Sequence, residues 1–191
     1  MLQLLLALTM LCGTPAGKRP YAGPKSLGPF RIDKDVPMSS LFEKLGRPSR
    51  VAPDTFCYRS ADGHAYLVLT RMVEVYDRKV AGDVELSDFR NCVDRPVQVT
   101  SDDLAAWKTD EGIGLGSSGE DVKKAYGKPS SEESIGTDYR GIIRGAPAHS
   151  ARKPEAGTTG LGYTGASDEL RAAYFGIRNG KVAWIFLTKN E

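Results

Sequence analysis

Apolar positions in this chain recur at two different periods, and together they predict an α+β protein. Leu41, Phe42 and Leu45 form one helical stripe within Asp35–Gly46. Val122, Ala125 and Tyr126 form a second within Gly116–Gly127. Pro37 suits the first turn of the first helix. Ser118 and Asp121 have the spacing of a capping box at the start of the second. Each helix should stop at a glycine followed by a breaker proline, Gly46 with Pro48 and Gly127 with Pro129. Elsewhere the period shortens toward two, which predicts strands at 30–33, 55–59, 65–70, 73–76, 80–86, 162–164, 170–177 and 181–188. Arg178-Asn179-Gly180 separates the last two as a hairpin turn, and Asp62-Gly63 separates two earlier ones. In the last strand strict alternation puts Val182, Trp184 and Phe186 on one face and Ala183, Ile185 and Leu187 on the other. Both faces are apolar, so this strand should be central and covered on both sides. Ser101–Trp107 reads as a short capped helix.

The two helix stops superpose without a gap. Gly46-Arg47-Pro48-Ser49 matches Gly127-Lys128-Pro129-Ser130 at an offset of 81, and Leu41 and Leu45 meet Val122 and Tyr126. This predicts two tandem units, each a short helix packed on an antiparallel β-sheet, over 29–100 and 101–191. The alternative is a pair of ordinary helices that end in a common way. Lys79-Val80-Ala81 echoes Lys181-Val182-Ala183 at 102, so the second unit carries about 21 extra residues. They fall in 131–160, a Gly-, Ser- and Pro-rich stretch expected to be a long loop.

The N-terminus is a different kind of sequence. Met1–Leu11 is nearly all apolar and too short for a bilayer, which takes about 20 residues. Small residues follow, so 1–16 reads as a signal peptide and 17–28 as a flexible lead-in. A periplasmic or secreted location follows from that reading. Cys12 stands where a lipidated cysteine would, but the bulky Leu11 before it argues against a membrane anchor. Cleavage leaves Cys57 and Cys92, an even pair that reads as one disulfide; two buried thiols are the alternative. The net charge of +2 and the lack of a long basic run give no footprint for nucleic acid.

The run Gly112–Pro129 resembles a pattern in small bacterial envelope proteins of the BamE/SmpA type and in units of the tandem-repeat β-lactamase inhibitory protein. The match covers a Gly-rich entry, a short helix and Tyr126-Gly127-Lys128-Pro129; Leu45-Gly46-Arg47-Pro48 fits more weakly. The resemblance implies a helix followed by an antiparallel sheet, and roles in envelope assembly or in binding another protein. Leu11 before Cys12 departs from a lipoprotein pattern.

Candidate chemistry is sparse. Gly114-Leu115-Gly116-Ser117-Ser118-Gly119 fits a dinucleotide fingerprint, but the polar run before it is not a buried strand. The two histidines, His64 and His149, have no metal-ligand spacing, and no nucleophile elbow is present. No catalytic, cofactor or metal residue is therefore assigned. Tyr58, Tyr66, Tyr163, Tyr174 and Trp184 lie in strand-like runs and are the candidate protein-binding aromatics; plain core or edge packing is the alternative. The expected function is non-catalytic binding of another protein in the envelope or outside the cell. A hydrolase with a site under 131–160, and a structural component of envelope assembly, are the alternatives.

Overall fold

The computed structural model describes residues 21–47, 55–71, 80–90, 97–135, 157–165 and 171–189. Among them the chain is α+β: mostly sheet, with two short helices. The signal peptide expected at 1–16, Cys12, Cys92, His149 and the predicted strand at 73–76 lie outside the described residues.

A small hairpin, β1 (Ser26–Leu27) and β2 (Phe30–Arg31), comes first. Helix α1 (Met38–Leu45) follows, then β3 (Thr55–Ser60), β4 (Tyr66–Arg71), β5 (Ala81–Ser87) and the short β6 (Gln98–Thr100). A 3-10 turn at Leu104–Ala106, capped by Asp103, leads toward α2 (Gly119–Tyr126). The chain ends with β7 (Ser131–Ile135), β8 (Thr158–Thr164), β9 (Arg171–Arg178) and β10 (Lys181–Lys189). Strands β3 to β10 form one sheet in the order β6-β3-β4-β5-β10-β9-β8-β7. All neighbours are antiparallel except β3 and β6. Strand β10 is central, as its apolar faces predict, and pairs with β5 at mid-sheet.

Both helices and the β1–β2 hairpin pack on one face of this sheet. Met38, Leu41, Leu45, Val122 and Tyr126 join Tyr58, Leu67, Leu86, Phe175, Ile185 and Leu187 in a single core. The lead-in expected at 17–28 is part of this structure from residue 21 on. Leu27 is fully buried, bridges to Thr109, and is followed by Gly28, whose N–H donates to the Lys108 carbonyl. Tertiary contact orders a segment whose composition alone suggested flexibility.

Local chemistry sets the helix ends. Ser118 Oγ accepts from the Asp121 N–H at 3.0 Å, and the Asp121 carboxylate accepts from the Ser118 N–H at 3.0 Å. Gly46 and Gly127 leave the helices at φ 87° and 74°, a region costly for any residue with a Cβ. Strands β5 and β10 share another feature. Gly82 is an extra residue against β4, and Ala183 is an extra residue against β9. The bulge at Ala183 corrects the strict alternation expected for β10. It turns Val182 onto the helix-side face with Ile185 and Leu187, and leaves Trp184 and Phe186 on the other.

Candidate functional site

The sheet face away from the helices carries most of the polar and aromatic residues the core does not use. Cross-strand registers arrange its centre in three rows. Tyr66, Ser87, Trp184 and Gly176 make one row; Val68, Glu85, Phe186 and Tyr174 the next; Thr70, Asp83, Thr188 and Ala172 the third. Among the described residues, no helix packs on this face.

Two glycines let its aromatic rings lie flat. A Cβ at Gly176 would stand 3.1 Å from Trp184 Cε3, and one at Gly162 would stand 3.1 Å from Tyr174 Cε1. The rings therefore cover the bare backbone of the neighbouring strand. Trp184 stacks on Phe186 at 6.1 Å, and Phe186 meets Tyr174 at 6.3 Å. Trp184 and Phe186 are buried, while Tyr66 and Tyr174 are half-buried and reach solvent.

Two carboxylates stand among them. Glu85 is buried and accepts a hydrogen bond from Trp184 Nε1 at 2.8 Å. Asp83 lies two residues earlier on the same face, beside Thr188. Burial raises the Asp83 carboxyl to about 6, opposed by a hydrogen bond with the Thr188 side chain. Alternating Asp83 and Glu85 with apolar Val84 and Leu86 was the sequence signal for this pair.

The predicted binding aromatics separate by face. Tyr66, Tyr174 and Trp184 share the face without helices. Tyr58 and Tyr163 do not: they are buried in the helix-side core. Their hydroxyls donate to the carbonyls of the two helix-stop glycines, Tyr58 to Gly46 at 3.1 Å and Tyr163 to Gly127 at 3.2 Å. Burial pushes the Tyr163 hydroxyl up to about 12. Both tyrosines are structural, and binding through their rings is set aside.

Cys57 is buried beside Val68 and Val97 on the sheet face away from the helices. The stretch expected as a loop at 131–160 begins and ends as sheet, with β7 at its start and the first residues of β8 at its end; 136–156 lie outside the described residues. His64 is exposed at the turn between β3 and β4, where its N–H donates to Asp62 Oδ1. The Gly114–Gly119 run makes a tight turn into α2: Gly116 has φ 81° and its N–H donates to the Val182 carbonyl. Antiparallel sheet follows instead of the crossover a dinucleotide site needs. No group of three or more potential metal ligands occurs among the described residues. Comparison with protein-family models, with curated proteins and with solved structures found no match.

Proposed function

We propose that the chain is a non-catalytic, exported binding protein of two tandem units, and that it holds another protein against the sheet face bearing Tyr66 and Tyr174. The observation that carries the binding reading is that face itself. Two solvent-reaching tyrosines flank a buried, stacked Trp184–Phe186 pair there, Tyr174 in ring contact with Phe186 and Tyr66 across Ser87 from Trp184, so the surface between them is already packed and anchoring a partner costs little side-chain entropy. Tyrosine is enriched among residues that dominate binding energy.

Paired details support the tandem reading. Helices Met38–Leu45 and Gly119–Tyr126 stand at the offset of 81. Just before them, Pro37 bridges to Val80 and Ser118 bridges to Lys181. The Val36 carbonyl accepts from the Ala81 N–H at 2.9 Å, and the Ser117 carbonyl from the Val182 N–H at 2.7 Å; these strand positions correspond at an offset of 101, one residue short of the 102 that the Lys-Val-Ala echo suggested. The bulges at Gly82 and Ala183, and the tyrosine bonds to Gly46 and Gly127, also correspond. Agreement in helix position, bridge, backbone bond, bulge and tyrosine bond is more than a shared helix stop requires. Export is read from the apolar run Met1–Leu11 and from the even pair Cys57 and Cys92, expected as one disulfide; envelope assembly is the alternative setting for the binding.

The test is affinity capture from an envelope extract with the full chain, compared with a Tyr66→Ala/Tyr174→Ala double variant. A partner held by the first and lost by the second supports the reading. Equal recovery by both, or no specific partner, counts against it. One observation favours a catalytic reading: Asp83, with its carboxyl raised to about 6, stands near a second acid, as general acids do. Full retention of any hydrolytic activity by Asp83→Asn would dismiss that reading.

A further inference from the structure

The same sheet face has a second feature at its β6 end. Arg59 and Tyr66 are directly opposed across β3 and β4, and Val99 on β6 is level with Arg59. With Val97 and Arg90 they line an open cleft of about 250 Å³. Arg59 and Tyr66 are each half-buried. Neither the guanidinium nor the phenol has a hydrogen-bond or ion-pair partner among the described residues, whereas Arg90 makes an interaction of its own. Val99, at the cleft's outer wall, is 46% exposed and is the only large hydrophobic residue so exposed among the described residues.

A half-buried guanidinium beside a phenol offers converging N–H and O–H donors, which fit a carboxylate. The valine walls next to those donors fit an apolar neighbour on the same ligand. We infer that this cleft takes an acidic side chain from an extended segment of the bound protein, with Val97 and Val99 receiving the apolar residue beside it. The inference rests on the binding role proposed above and names the chemistry of the partner. Addition of the segment as a further strand is disfavoured at Val99, because Gln98 Nε2 already donates to the Val99 carbonyl at 3.1 Å. A purely polar anion such as phosphate would leave the valine walls unused.

The probe is a short blocked peptide alternating valine and glutamate, titrated by NMR or calorimetry into the full chain. Its glutamine counterpart and inorganic phosphate serve as comparisons. The acidic peptide should bind the native chain, and Arg59→Met, which keeps the aliphatic stem, should weaken it about tenfold. Tyr66→Phe removes one hydroxyl and keeps the ring, so it should weaken binding about three- to fivefold while leaving the circular dichroism and melting unchanged. The glutamine peptide should bind at least tenfold more weakly, and phosphate should not compete at equal concentration. Unchanged affinity in Arg59→Met, equal affinity for the glutamine peptide, or effective competition by phosphate would each overturn the assignment. A partner captured equally by native chain and Arg59→Met, yet lost by Tyr66→Ala/Tyr174→Ala, would sink this cleft and leave the binding role standing. Peptide binding without any captured partner would leave the cleft's preference for a carboxylate standing and overturn its assignment to a bound protein.

Discussion

Replacing Asp83 by Asn should make the protein more stable at neutral pH and leave it almost unchanged in acid. Asp83 sits on β5 between Thr70 of β4 and Thr188 of β10, at mid-sheet. Its folded-state carboxyl, at about 6, is above the ordinary 3.8 chiefly because burial disfavours the charge. The native state therefore holds this proton more tightly than the unfolded chain. Stability is lost as pH rises from about 3.8 to about 6, and the full deficit is present above that window. The gap between the two values corresponds to about 3 kcal/mol. Asp83 keeps some contact with water, and screening brings the expected figure to about 1–2 kcal/mol. Asn has nearly the same shape and can still accept from Thr188, but it carries no charge to desolvate. Urea unfolding of both proteins at pH 4, 6 and 8 should show the variant ahead by about 1–2 kcal/mol at pH 8 and by less than about 0.5 kcal/mol at pH 4. A difference that does not change with pH, or a variant less stable at pH 8, would refute the desolvation argument.

Three other outcomes are expected. Tyr58→Phe and Tyr163→Phe each remove one hydroxyl bonded to a helix-stop carbonyl and should each cost about 0.5–1.5 kcal/mol in denaturant unfolding; a matched pair of losses fits the tandem reading, and a loss at one site alone speaks against equivalent roles. Gly162→Ala puts a methyl against Ser131 Oγ and the Tyr174 ring, and should cost about 1–3 kcal/mol and broaden the Tyr174 ring signals in NMR, whereas a well-ordered, equally stable variant would mean the ring is not seated there. Alkylation of the purified protein should find Cys57 and Cys92 blocked until reduction, which should lower stability by about 2–4 kcal/mol; two alkylated thiols before reduction would contradict the bridge.

What the sequence revealed and what it concealed divide on local grounds. Helix stops at Gly46 and Gly127 were legible because a positive φ followed by proline is settled within a few residues. The last hairpin was legible for the same reason: Asn179 and Gly180 take φ 52° and 74°, as a two-residue turn between twisted strands requires. The bulges were not, because an extra residue is defined only against the partner strand. Strand β7 was hidden by its polar sequence, Ser131-Glu132-Glu133-Ser134-Ile135, which is strand because β8 pairs with it. Leu27 was hidden in a Gly- and Pro-rich lead-in because its burial depends on distant residues such as Thr109. At the candidate site, strand periodicity suggests which aromatics share a face but cannot say which face receives the helices. The sequence therefore groups Tyr58 and Tyr163 with Tyr66 and Tyr174, and the fold separates them. The Arg59–Tyr66 pairing likewise needed the register of β3 against β4.

The central claim is that the helix-free sheet face holds a protein partner, and site-specific photocrosslinking in the cell tests it most directly. A photoreactive amino acid is placed at Tyr174 on that face in one chain and at exposed Glu120 on α2 in another. The account predicts one discrete crosslinked species from position 174 and none from position 120. Crosslinks to the same species from both positions, or from position 120 alone, would contradict it.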